Sequence, residues 1–181
     1  MVAVGYDTLC RRSELVGLRL DDLARLDSGA GAILIRRAKN DPFGDGRLGG
    51  LSPRTVGLLD AWLRGAGIGS GWMFRSVHGN STGADALHPF AVNRVIKALA
   101  AGAGIAPETV RDLSGHSMRV GAAQDMMAGG LGILPIMKAG GWKSMNVVGR
   151  YVESAEFGQL LAGRFCGSPE RQQQQAARVA E

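Results

Sequence analysis

The chain is short of several residue types, and each shortage narrows its chemistry. Two cysteines in 181 residues, Cys10 and Cys166, make no disulfide framework, so a reducing cytoplasm is the expected compartment. The three histidines are His78, His88 and His116, and no second histidine or cysteine stands near His116 in sequence, which argues against a metal site. Only two tyrosines occur, Tyr6 and Tyr151. No run approaches the roughly 18 uninterrupted apolar residues of a membrane span. The opening MVAVGYD lacks the basic start and long apolar segment of a secretory signal. What remains is 45% hydrophobic and 20% charged, a globular composition long enough to bury a core.

Charge is modest in total and uneven in placement. The formal net charge of +5 lies within the stretch from Arg36 to Lys97, which holds nine basic and four acidic residues. The other residues balance. A concentrated basic segment suits a polyanion, because neutralising phosphates releases counterions and steers association. A solvated basic face is the competing explanation.

Periodicity gives a mainly helical α+β chain. Leu9, Leu15 and Leu18 are spaced for one buried face of a helix over residues 7–18. Ile33 to Arg37 reads as a strand, NDPFGDG as turn chemistry and Arg47 to Leu51 as the returning strand, a basic β-hairpin with Lys39 near its tip. Ser52-Pro53 starts a helix whose apolar stripe is Val56, Leu59, Trp62 and Leu63. Residues 76–87 read as a polar loop, Pro89 to Ala101 as a helix and Pro107 to Leu113 as a turn. Further helices are expected from about Ser117 to Ala128, at Leu134 to Ala139, from a Ser144 cap through Tyr151, and from a Ser154 cap to Phe165. No internal repeat occurs. Residues 1–166 form one domain in this reading, and residues 167–181, rich in glutamine and charge, a disordered polar tail.

Three pairings could carry chemistry. Arg11 and Glu14 are one turn apart on the first helix, His116 and Arg119 one turn apart at the start of another, and Trp142 precedes Tyr151 by nine residues. Singly, each has a plain structural explanation. Arg11–Glu14 could be a surface pair worth about 0.2–0.5 kcal/mol. Trp142 could be a core anchor, Tyr151 a surface residue and Lys39 a solvated hairpin cation.

In succession they say more. TLCRRSEL, a hairpin carrying RRAKN, SGHSMRVGAAQDM and AGGWKSMNVVGRYV together resemble the catalytic domain of the tyrosine recombinase (phage integrase) family over residues 5 to 165. The last two motifs are worded most like its Cre-like branch. The resemblance implies a helical catalytic domain with one small antiparallel sheet, acting on double-stranded DNA. It makes Tyr151 the nucleophile that forms a 3′-phosphotyrosyl link and frees a 5′-hydroxyl. Arg11 and Arg119 become clamps on the non-bridging oxygens, and Lys39 the donor of a proton to the departing 5′-oxygen. His116 assists proton transfer, Trp142 contacts the phosphate and Glu14 orients the site. Arg36, Arg37, Arg47, Arg94, Lys97 and Lys143 are the candidate DNA contacts, and the enzyme would work at the nucleoid.

Elementary chemistry asks for the same residue types. Attack on a phosphodiester concentrates negative charge that guanidinium forks can pair with bidentately. A tyrosine of pKa near 10 is only about one part in 10³ phenolate at pH 7, so a base and a cationic pocket help it react. The bond energy is kept in the phosphotyrosyl link, so no cofactor and no metal are needed. His116 and Arg119 share a helical face near a first turn, where free backbone amides and the dipole would also favour a phosphate.

Some features depart from the family pattern. Relatives carry an N-terminal helical domain that closes around DNA, which this chain is expected to lack, and Arg12 stands where relatives often have an apolar residue. Phe157, Leu160, Leu161 and Phe165 form a stripe that could dock on a neighbouring protomer, giving self-association on DNA, or could pack on its own domain. Two other readings stay open: type IB topoisomerase-like strand relaxation, and an inactive DNA-binding remnant of a mobile-element integrase.

Overall fold

In a computed structural model, residues 1–36 and 46–149 are described. Lys39, Arg37, Tyr151, the helix expected to end at Phe165, its apolar stripe and the polar tail lie outside the described residues. The fold is α+β and mainly helical, with helices α1 (Val2–Thr8), α2 (Arg12–Val16), α3 (Pro53–Gly65), α4 (Pro89–Gly102), α5 (Pro107–Asp112), α6 (Gly115–Ala128) and α7 (Ile133–Gly140). Residues 145–149 are also helical. Strands β1 (Leu23–Arg25), β2 (Gly31–Ile35) and β3 (Arg47–Leu51) form an antiparallel sheet in that order. A separate hairpin pairs β4 (Arg75–His78) with β5 (Ser81–Ala86). Among the described residues no helix is long and apolar enough to cross a membrane.

The expected helix over 7–18 is two helices, because its leucines serve two different cores. Leu15 and Leu18 pack with Ile33, Ile35, Leu51, Val56, Leu59, Leu63 and Val92, under the sheet and against α3 and α4. Leu9 instead packs with Ala122, Ala123, Ile136 and Val148, beneath α6 and α7. To reach that second cluster the chain breaks at Leu9, which takes left-handed backbone (φ 53°, ψ 30°) and is fully buried. A left-handed L-residue costs about 1–2 kcal/mol, and burying a leucine offsets it. The break places Arg11 at the N-cap of α2 rather than in mid-helix.

Locally signalled elements stand where the sequence puts them. Ser52 Oγ accepts from the Thr55 amide (3.3 Å) and Pro53 opens α3. Strand β2 alternates, with Ile33 and Ile35 inward, and pairs Ile35 with Arg47 at the end next to the segment that connects the two strands. The expected polar loop over 76–87 is the β4–β5 hairpin, and the turn around Pro107 is helix α5. β1 adds a third strand to the sheet.

Leu9→Ala is expected to lose about 2–5 kcal/mol in urea denaturation, since it leaves a cavity under α6 and α7. A loss below about 1 kcal/mol would show that Leu9 does not tie the second core to α1.

Candidate active site

An open cleft of about 610 Å³ lies between the start of α2, the start of α6 and the turn after α7. Arg11, Arg12, His116, Arg119, Trp142, Lys143 and Val147 are among its lining residues. Four of these are cations, and among the described residues no carboxylate lines it. The segments that supply them are far apart in sequence. The two cores bring them together.

The carboxylate sits just behind the cleft wall. Glu14 belongs to the short helix α2, and its side chain is 2% exposed. Its Oε2 accepts from the Arg11 amide (2.9 Å) and from Arg47 Nη2 (3.1 Å), while Oε1 accepts from Arg11 Nη1 (2.6 Å). Arg119 Nη1 stands 3.9 Å from Oε2. Arg11 and Glu14 are therefore not an ordinary surface pair but part of a buried hub with three guanidiniums around one acid. Burial pushes the Glu14 carboxyl up, but the hydrogen bonds from Arg11 and the charges of Arg47 and Arg11 more than offset it, and its pKa lies below the usual glutamate value.

Arg119 is buried, 4% exposed, and presents only a sliver to the cleft. Its Nη2 donates to the Gly140 carbonyl (3.0 Å), and its guanidinium carbon lies 4.5 Å from the centre of the Trp142 ring. Burial, then repulsion from Arg11, lowers its pKa to about 10, so it remains a cation at neutral pH. The Gly-Gly-Trp motif makes this geometry. Gly141 ends α7 in left-handed backbone (φ 62°), and a Cβ on Gly140 would fall 2.0 Å from the Trp142 ring. The ring can fold back over Arg119 only because residue 140 has no side chain.

His116 stands exposed on the first turn of α6, which starts at Gly115 with Ser114 as cap. The first-turn amides expected to be free are taken. Ser114 Oγ accepts from the His116 (3.2 Å) and Ser117 (3.4 Å) amides, and Asn93 Oδ1 accepts from Gly115 (3.0 Å). Only the helix dipole remains for an anion there. Of the other histidines, His78 is exposed on β4, and His88 Nδ1 caps α4 by accepting from the Phe90 amide (3.4 Å).

The candidate DNA contacts divide. Lys143 is exposed at the cleft, and Arg94 is exposed on α4. Arg36 is exposed but its Nε donates to both Asp22 carboxylate oxygens (2.8 Å). Lys97 Nζ is turned onto the Arg111 carbonyl (2.5 Å). Arg47 corrects the expectation: its side chain is 11% exposed and bound to the protein interior, not offered to a partner. Strand alternation carried that signal, since Arg47 shares the face of buried Gly49 and Leu51 while Leu48 points out.

Comparison with known proteins gives a family and a fold. The profile of the phage integrase family matches residues 1–156. The recombinase Cre of Escherichia phage P1 is 30% identical, over 86% of this chain and 48% of that protein, so the chain spans about half the length of this curated relative. The XerA recombinase structure superposes with a TM-score of 0.69 at 21% identity, over 90% of this chain and 56% of that one. The XerH recombinase bound to palindromic difH substrate, a post-cleavage complex, gives 0.68 at 19% identity, over 90% and 43%. The Tn1549 transposon integrase in complex with transposon right end DNA gives 0.59 at 16% identity, over 89% and 58%.

The depressed Glu14 pKa fixes the sign of a pH effect. Its contribution to stability is fully present above the unfolded glutamate pKa of about 4.3 and is lost as pH falls through the lower folded value. Denaturant titrations from neutral pH downward should show that loss in the wild type and a shallower acid limb in Glu14→Gln. At neutral pH Glu14→Gln should cost about 3–5 kcal/mol, because it leaves buried guanidiniums uncompensated. Identical acid limbs would place the titration elsewhere.

Proposed function

The chain belongs to the phage integrase family, and on that premise we propose that it cuts and rejoins double-stranded DNA at specific sites through a 3′-phosphotyrosyl intermediate. The observation that carries the proposal is the convergence of Arg11, His116, Arg119 and Trp142 on one acid-free cleft. Val147 lines the same cleft, and Tyr151 follows four residues later in the chain. The XerH and Tn1549 neighbours are held with substrate DNA, which supports duplex DNA as the ligand class. On this reading the protein acts in the cytoplasm, at the nucleoid.

In the proposed reaction the Tyr151 Oη attacks the scissile phosphorus as the bond to the 5′-oxygen breaks. The phenol proton leaves through His116 and its solvent contacts, and Lys39, on the segment joining β2 to β3, protonates the departing 5′-oxygen. Arg11 and Arg119 pair with the non-bridging oxygens, whose charge grows toward the transition state. Trp142 screens that pair from water on one side, and Glu14 keeps the guanidiniums in place. Attack of a 5′-hydroxyl on the phosphotyrosine then reverses every transfer and reseals a strand. Exposed Arg94 and Lys143 supply backbone contacts, to which Arg36 and Arg37 of the basic segment add. Self-association on DNA through the stripe Phe157, Leu160, Leu161 and Phe165 belongs to this reading.

A randomised pool of nicked suicide duplexes tests the proposal. The wild type should give a denaturant-resistant protein–DNA adduct that Tyr151→Phe abolishes and Arg119→Lys lowers by about 10²–10³-fold. Lysine at 119 keeps a cation in this buried position, so the loss reads clamp geometry rather than unfolding. Lys39→Ala should recover on a duplex with a 5′-bridging sulfur, a better leaving group that needs no proton. A folded wild type that gives no adduct would mark a DNA-binding remnant, and supercoil relaxation without joining of two sites would mark a topoisomerase.

A further inference from the structure

Arg47 is absorbed by no step of this reaction, yet it is the most heavily tethered cation in the described residues. Its Nη1 donates to the Thr8 carbonyl (2.9 Å) at the end of α1 and also to the Ala139 carbonyl near the end of α7. Its Nη2 donates to Glu14 Oε2 (3.1 Å) and reaches Cys10 Sγ (3.8 Å). The inward face of β3 makes this possible: a Cβ on Gly49 would stand 2.8 Å from Thr8 Cγ2, so the strand lies directly against α1 and delivers Arg47 to its last carbonyl. The two carbonyls lie at helix C-termini, where the last four C=O groups have no partner within the helix and a cation is favoured.

We propose that Arg47 is the positioning residue of the proposed strand-cleavage site, setting both arginine clamps from behind. It holds Arg11 through Glu14, whose carboxylate it shares. It holds Arg119 through α7, because it grips Ala139 and the next carbonyl, Gly140, is the one Arg119 Nη2 binds. Without it, Glu14 Oε2 loses a partner and is drawn toward Arg119 Nη1, now 3.9 Å away, pulling the clamp off the cleft. A lysine cannot replace it, since one ammonium does not span two carbonyls and a carboxylate as a planar fork does.

The inference rests on the strand-cleavage reading, and its test separates the two. Arg47→Met and Arg47→Lys are compared with the wild type on a duplex captured from the pool, by thermal melting, by DNA affinity across salt concentrations and by single-turnover adduct formation at saturating DNA. Adduct formation by Arg47→Met should fall about 10²-fold on the ordinary phosphodiester. On a neutral methylphosphonate at the scissile position the deficit should shrink to under about tenfold, because there is less oxyanion charge to clamp. Affinity should stay within about threefold and the salt slope unchanged, whereas a residue that contacts phosphate would lower that slope by about 1. Equal deficits on both substrates, or a changed slope with an unchanged rate, overturn the proposal. If Arg47→Met does not fold, Arg47→Lys decides, and a folded lysine variant cleaving at the wild-type rate overturns it. A wild type without any adduct sinks the cleavage reading itself, whereas wild-type adduct with indifferent Arg47 variants sinks only the role of Arg47.

Discussion

One buried carboxylate holds three guanidiniums together, and the rest of the site depends on that balance. Arg11, Arg47 and Arg119 all approach Glu14 within 4 Å, leaving the cluster with two uncompensated positive charges. Three guanidiniums without an acid would repel one another in a low dielectric, and the effect is already visible in Arg119, whose pKa Arg11 helps to depress. With two acids the cluster would keep a single positive charge and would have less to offer an anion. A single acid leaves a surplus that a phosphodiester meets only in part. In the proposed reaction the extra charge of a five-coordinate phosphorus would meet it better, and such a difference between ground and transition state is what lowers a barrier.

The scaffold exists to hold that cluster against its own repulsion. Arg11 comes from the cap of a helix that starts because Leu9 has left for the second core. Arg119 comes from a helix whose start is pinned by Ser114 and Asn93, and its outer face is covered by a tryptophan that Gly140 lets fold back. Arg47 comes from a strand pressed on α1. Each of the three therefore arrives from an element fixed by apolar packing or helix capping, not by the ion pairs themselves. That division matters energetically, because a buried ion pair need not stabilise a fold, while removing one member is strongly destabilising.

What could be read in the chain follows the range of the interaction responsible. Ser52-Pro53, the pairing of β2 with β3 and the start of α4 at Pro89 are written in a few neighbouring residues and stand at those places, while α6 starts two residues before the expected Ser117, capped by Ser114. The pairing of Arg11 with Glu14 and of His116 with Arg119 in one site was legible because the family motifs mark them, although nothing local says that one cleft collects them. The break at Leu9 was not legible, since leucine spacing reports that a face is buried but not which core buries it. Residues 76–87 read as a loop because small and polar residues dominate, yet a short exposed hairpin asks little of its side chains. Arg47 was misread on charge alone. Composition places cations on the surface, and only its partners, 33 to 92 residues away, turn this one inward.

Arg119, the clamp of the proposed reaction, sits in a costly place. Its Nη1 is buried and has no hydrogen-bond partner among the described residues, a condition that costs a folded protein about 1–3 kcal/mol. Glu14 stands 3.9 Å away, near enough to stabilise the charge and too far to take the proton donor. The Trp142 ring lies over the same guanidinium, its centre 4.5 Å from the central carbon. A group arranged in this way does not have to shed a solvent shell or rotate when an oxyanion arrives, and the reorganisation that water would demand has been met during folding. With a pKa of about 10 it also stays charged through the neutral range. On the proposed reading, a phosphate oxygen in the cleft would add the negative charge that this buried, only partly compensated guanidinium lacks.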